Sequence, residues 1–141
     1  MKVVTTWTGG RAFTAVGDSG YDINMDATEA YGGLGKGATP TEMLLGALAG
    51  CIGIDVTMIL RPHLDKITKI EIITDGTRKE EAPKGFTAIA VTFVIDVDIN
   101  NKKVWREIRL GKEKNGPGAN ALKEVVNLHC LCMGKECLDV I

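Results

Sequence analysis

The residues best placed to do chemistry are cysteines. Cys51 sits at the centre of the apolar run Thr39–Leu60, TPTEMLLGALAGCIGIDVTMIL. A thiol in apolar surroundings is either an inert small hydrophobe or, where a cation offsets the cost of desolvating its thiolate, a nucleophile. A second group lies near the other end of the sequence, where His129, Cys130, Cys132 and Cys137 are the donor types that hold zinc. Their spacing argues against a metal. Cys-x-Cys beside a histidine crowds one side of an ion and no Cys-x-x-Cys knuckle is present, so no metal is assigned and the tail cysteines read as ordinary thiols. His63 follows Pro62 with no motif around it and reads as a surface residue.

The element that must position Cys51 is a helix. Thr39 is suited to its N-cap, Pro40 to the first helical position, and Glu42 falls three residues after the cap, where it closes a capping box. Arg61-Pro62 ends the run. From Met43 onward the residues are apolar or small around nearly the whole circumference, apart from Asp55 and Thr57, so the helix must be covered on every side and is read as the central helix of the fold. A membrane span is the competing reading. Asp55 interrupts it, Gly46, Gly50 and Gly53 punctuate it, and no anchoring flanks frame it, so the chain is read as having no membrane partner. The small residues Gly46, Ala47, Gly50 and Gly53 suggest close approach of another backbone, such as a second copy of the same helix.

The remaining pattern is that of an α+β protein. Lys2–Trp7 and Arg11–Val16 read as a hairpin across Thr8-Gly9-Gly10, and Tyr21–Met25 as a third short strand. The connector Tyr31–Gly37 is glycine-rich but lacks the Gly-Lys-Ser/Thr ending of a phosphate loop. After the central helix, Ile67–Thr74 and Phe86–Asp98 read as two long strands around Pro83-Lys84-Gly85, the second alternating strictly so that one face is apolar. Asn101–Leu110 reads as an amphipathic helix with Val104 and Ile108 inward, and Ala119–Leu128 as another. Hairpins without regular strand-helix alternation exclude a doubly wound sheet.

With 141 residues, 45% of them hydrophobic, the chain is long enough for one domain with its own core. A net charge of -1 from 17 basic and 18 acidic residues leaves no electrostatic footprint for nucleic acid. No signal peptide precedes the first strand, which places the chain in the cytoplasm by expectation. In that reducing compartment its four cysteines are free thiols, catalytic groups or ligands before they are structural disulfides.

Several of these residues together resemble the OsmC/Ohr family, the osmotically inducible and organic-hydroperoxide-resistance proteins. The likeness is carried by Pro40-Thr41-Glu42-Met43-Leu44-Leu45, Ala47-Leu48-Ala49-Gly50-Cys51 and Asp55-Val56 on the central helix. Trp7-Thr8-Gly9-Gly10, Asp26 before Gly32-Gly33, and Phe86-Thr87 with the Val104–Leu110 helix add to it. It runs to about Lys123, leaving 124–141 as a divergent tail. The resemblance implies an intertwined homodimer, with antiparallel sheets from both chains wrapped around two central helices. It also implies a thiol peroxidase that reduces organic hydroperoxides without a cofactor and is regenerated by a thiol or dithiol.

In that family the helix cysteine is the peroxidatic thiol, and Cys51 stands at its place. Arg11 lies near the position of the family's catalytic arginine and is the candidate to pair with the thiolate and polarise the peroxide. Glu42 is the third candidate. Organic-hydroperoxide-resistance relatives carry a carboxylate directly after the proline, where this chain has Thr41, and Glu42 is one position and about 100° further round the helix. The family's resolving cysteine follows a Glu-Lys-Tyr pattern; the matching run here is Glu113-Lys114-Asn115-Gly116, with Gly116 in the cysteine's place. A sulfenic acid on Cys51 would then need an external thiol or a tail cysteine for its reduction. The missing resolver also supports a second expectation, a non-catalytic member of the fold that binds an apolar small molecule at the dimer interface. A metal- or redox-sensing tail is a third.

Overall fold

The β-branched start of the chain folds back on itself across Gly9-Gly10. In the computed structural model, which describes residues 1–82, 84–98, 101–112, 126–132 and 135–136, strands β1 (Val3–Gly9), β2 (Ala12–Gly17) and β3 (Asp22–Met25) form an antiparallel sheet in that order. The register slips between Trp7 and Gly9. Both turn glycines have positive φ, 109° at Gly9 and 58° at Gly10, a region costly for residues with a Cβ. The indole N–H of Trp7 donates to the Gly10 carbonyl at 3.2 Å and ties the bulge down. With the glycine-rich connector, this sheet belongs to the first of two compact units, Met1–Leu44 and Leu45–Ile141.

Helix α1 (Pro40–Ile59) crosses from the first unit into the second. The second unit continues with β4 (Ile67–Arg78), β5 (Phe86–Val97), α2 (Asn101–Lys112), β6 (Val126–Cys132) and the two-residue β7 (Lys135–Glu136). Its sheet runs in the order β4-β5-β6-β7. The β4/β5 and β6/β7 pairs are antiparallel, whereas β5 and β6 are parallel. The expected alternation of β5 holds along its length. Ile89, Val91, Phe93, Ile95 and Val97 are buried, and the residues between them are half-buried. That face meets Leu48, Ile52 and Val56 of α1 and Val104, Trp105 and Ile108 of α2 in one apolar cluster. Phe93 and Trp105 pack edge to face, with ring centroids 6.4 Å apart.

This cluster carries the second unit's stability, because burial of apolar surface is the main favourable contribution to folding. Ile95 is fully buried within it. Ile95→Val should cost about 1 kcal/mol through the lost methylene and the small void it leaves, read as a lower urea midpoint at unchanged slope.

Two elements differ from the sequence reading. β4 continues past Thr74 to Arg78, because β5 extends far enough to pair with it there and the Phe86 ring packs over Gly76. Val126, Asn127 and Leu128, read as the end of a helix from Ala119, lie instead in β6, paired with Ile89, Ala90 and Val91; 119–125 lie outside the described residues. Helix α1 is covered in part. Although long and apolar enough to cross a membrane, it buries the single stripe Leu48, Ile52 and Val56 in this chain's own core. One chain supplies cover for one face only.

Candidate active site

Glu42 is fixed by local chemistry. The backbone N–H and hydroxyl of Thr39 both donate to its Oε2 at 2.7 Å, and the Glu42 N–H donates back to Thr39 Oγ1 at 3.3 Å. This is a closed capping box. The Thr39 backbone N–H, then its hydroxyl, hold the Glu42 carboxyl below its ordinary value of 4.5. The carboxylate is thus committed to the helix start, and among the described residues no ion pair joins it to Arg11.

Arg11 lies at the end of the β1–β2 turn and is exposed. Its side chain passes over the glycine-rich connector: a methyl group on Gly32 would stand 3.9 Å from Arg11 Nε. Arg11 and Glu42 belong to the first unit and Cys51 to the second.

Cys51 is a free thiol, half-buried, in the middle of α1. It sits one residue before buried Ile52, at the margin of the core-facing stripe. It also lies on a second stripe, Leu44, Ala47, Cys51, Ile54 and Met58, whose 3-4-3-4 spacing defines one face of a helix. On that face Leu44, Ala47, Ile54 and Met58 are exposed, Ile54 by 64% and Met58 by 68%. A Cβ on neighbouring Gly50 would meet open space. The thiol is therefore reachable along an apolar, small-residue surface, a setting suited to an apolar reactant. No group of three or more metal-ligating side chains converges among the described residues. The backbone of His129, Cys130 and Cys132 runs in β6 beside Thr92, Phe93 and Ile95, and Cys137 and Gly116 lie outside the described residues.

Asp26, which contributed to the resemblance but was given no role, is the buried carboxylate of the first unit, 2% exposed. Its Oδ1 accepts the Ala27 N–H at 2.8 Å, and its Oδ2 accepts those of Leu34 at 2.8 Å and Lys36 at 3.1 Å. The amides of Leu34 and Lys36 hold the carboxyl below its ordinary value of 3.8, helped by the Ala27 amide and the Lys36 charge, against burial, which pushes it up. The only hint in the sequence is an acid between Met25 and Ala27, just before a run of glycines.

Both lowered carboxyls bind protons less tightly folded than unfolded. Their contribution to stability is therefore complete above the ordinary values and lost as pH falls through the lowered ones. In urea titrations at successive pH values, wild type should exceed Asp26→Asn at neutral pH, and the two should converge as pH drops below 3.8. A constant gap would mean that Asp26 does not titrate with folding.

The comparisons with known proteins agree with this architecture. The sequence pattern of the family described as OsmC-like protein matches residues 33–130, which includes all of α1 and most of β6. Protein YhfA of Escherichia coli K12 is 33% identical over 129 residues, covering 91% of this chain and 93% of its own. An OsmC-like protein from Mycoplasma pneumoniae superposes with a TM-score of 0.77 at 18% identity, covering 93% of this chain and 95% of its own. The organic hydroperoxide resistance protein OhrB of Bacillus subtilis gives 0.61 at 24% identity, covering 93% and 96%. At these identities the solved structures establish the fold alone. The match over most of the chain and the identity to YhfA establish more: this chain is a member of the OsmC-like protein family.

Proposed function

We propose that the protein is a cytoplasmic, homodimeric, cofactor-independent thiol peroxidase that reduces organic hydroperoxides in defence against oxidative stress. The observation that carries this reading is the half-buried free thiol of Cys51 at the centre of the family's helix, on an apolar face that this chain itself leaves uncovered. In the reaction the Cys51 thiolate attacks the distal peroxide oxygen. The O–O bond breaks, the alkoxide leaves and takes a proton to become the alcohol, and Cys51 is left as sulfenic acid. Arg11 serves to stabilise the thiolate and the departing charge. Glu42 serves to fix the helix start through its capping box. With Gly116 in the resolver's place, the sulfenic acid is reduced by an external thiol or dithiol, or condenses with a tail cysteine to give a disulfide and water.

The test is single-turnover oxidation of the fully reduced protein by cumene hydroperoxide and by hydrogen peroxide, with the sulfenic acid trapped and mapped by mass spectrometry. Fast modification of Cys51, preferentially by the organic peroxide, is the expected result. If Cys51 of the folded protein stays reduced, the reading fails. The absence of a cysteine at Gly116 then favours the second reading, a non-catalytic protein that binds an apolar small molecule on the same helix face.

A further inference from the structure

Asp26 does more than satisfy a loop. Its own N–H donates to the Ala38 carbonyl at 3.1 Å, and Met25 bridges to Ala38, so the connector 27–38 leaves and returns at one point. Inside that neck, Thr28 O accepts the N–H groups of Tyr31 and Gly33 at 2.9 Å each, and Glu29 O accepts that of Gly32. Gly33 has no room for a side chain: a Cβ there would collide with the Ala27 carbonyl. The folded loop comes close to the β1–β2 turn at two places. Leu34 Cδ1 lies 3.8 Å from where a Cβ of Gly10 would be, and Arg11 Nε lies 3.9 Å from the same point on Gly32. Leu34 is also the residue whose amide Asp26 holds. A single carboxylate therefore links the strand end, the loop and the stretch beside Arg11.

We propose that Asp26 is a positioning residue for Arg11, holding the Gly32–Lys36 stretch as the brace that fixes the direction of the arginine side chain. The chemistry requires a carboxylate. Oδ1 and Oδ2 both accept backbone N–H groups, whereas an asparagine has one accepting oxygen and an NH₂ that would face an N–H donor. The inference rests on the peroxidase reading for its kinetic consequence, though not for its structural one.

The experiment compares wild type, Asp26→Asn, Arg11→Ala and the double variant. The first readout is independent of activity: the Arg11 Nε–Hε NMR resonance, identified by its loss in Arg11→Lys, and the exchange rates of the Leu34 and Lys36 amides. In Asp26→Asn both amides should exchange faster and the Arg11 resonance should move toward that of a free arginine, with Arg61 and Arg78 unchanged. The second readout is the rate of Cys51 oxidation by cumene hydroperoxide. Asp26→Asn should slow it about tenfold, within the range of losses from a misplaced group, and should add no further loss in the Arg11→Ala background, as residues acting through one another are non-additive. An unchanged Arg11 resonance, or equal slowing in both backgrounds, overturns the proposal. If Asp26→Asn fails to fold, Gly32→Ala disturbs the brace itself by putting a methyl beside Arg11 at a φ of 79°: the Arg11 resonance should shift and oxidation should slow while the Leu34 and Lys36 amides keep their exchange rates, and an unmoved Arg11 resonance overturns the proposal. If wild-type Cys51 is not oxidised at all, the peroxidase reading falls and the resonance alone decides the positioning role.

Discussion

Cys51→Ser is expected to abolish the proposed peroxide reduction while leaving the protein folded. The expected loss is on the order of 10³-fold or more in the consumption of cumene hydroperoxide, the size seen when an attacking nucleophile is removed and only binding remains. The physical reason is ionisation. A serine hydroxyl occupies nearly the same volume as the thiol but stays protonated at neutral pH, and oxygen is the poorer nucleophile toward a peroxide. Because Cys51 is half-buried and makes no hydrogen bond among the described residues, the fold loses little by the exchange. The thermal midpoint should stay within a few degrees of wild type, as for substitutions that open no cavity and orphan no partner. Cys130→Ser and Cys132→Ser serve as the controls. Each retains the first oxidation of Cys51, and one of them accumulates its sulfenic acid only if that tail cysteine is the resolving thiol. Equal activity in Cys51→Ser and wild type would remove the peroxidase reading.

The parts of this protein that were legible in the sequence are those set by neighbours along the chain. The start of α1 could be read because Thr39, Pro40 and Glu42 satisfy helix-end donors within three residues of one another, and the capping box forms as that spacing implies. The alternation of β5 could be read because one face of a strand packs on a core. What escaped depends on partners distant in sequence. The end of β4 follows from where β5 begins, and the assignment of Val126–Leu128 to a strand follows from parallel pairing with Ile89–Val91, which no local pattern announces. Asp26 escaped for a different reason. Its partners are backbone amides of Ala27, Leu34 and Lys36, groups that every residue other than proline carries, so side-chain identity gives no sign of them. The all-round apolarity of α1 was visible, and with it the need for cover from a further helix or a second copy, but not which stripe, Leu48, Ile52 and Val56, this chain covers itself.

That uncovered face leads to the other large effect. If the protein is the homodimer proposed above, Ile54→Lys should leave it a monomer. Ile54 and Met58 are exposed by 64% and 68% in the single chain, and with Leu44, Ala47 and Cys51 they make a 3-4-3-4 stripe, the spacing by which two helices seat against each other. A lysine within that seam would have to be buried without a partner on association, at a cost of several kcal/mol. Dimer affinity should then fall by about a thousandfold or more, visible in sedimentation equilibrium as a shift to the monomer mass at micromolar protein. The isolated chain should tolerate the change, since an exposed position on a formed helix contributes within about 0.5 kcal/mol, and circular dichroism should show unchanged helix content. The consequence for chemistry follows from the same spacing. Ile54 is three residues from Cys51, hence its neighbour on the helix surface, so a second copy seated there walls the thiol from water and supplies the apolar surroundings an organic peroxide prefers. Loss of the dimer should accordingly slow oxidation of Cys51 by cumene hydroperoxide more than by hydrogen peroxide, because only the larger, apolar reactant gains from that wall. A variant that stays dimeric would place the interface on another surface and leave the α1 stripe for a different occupant.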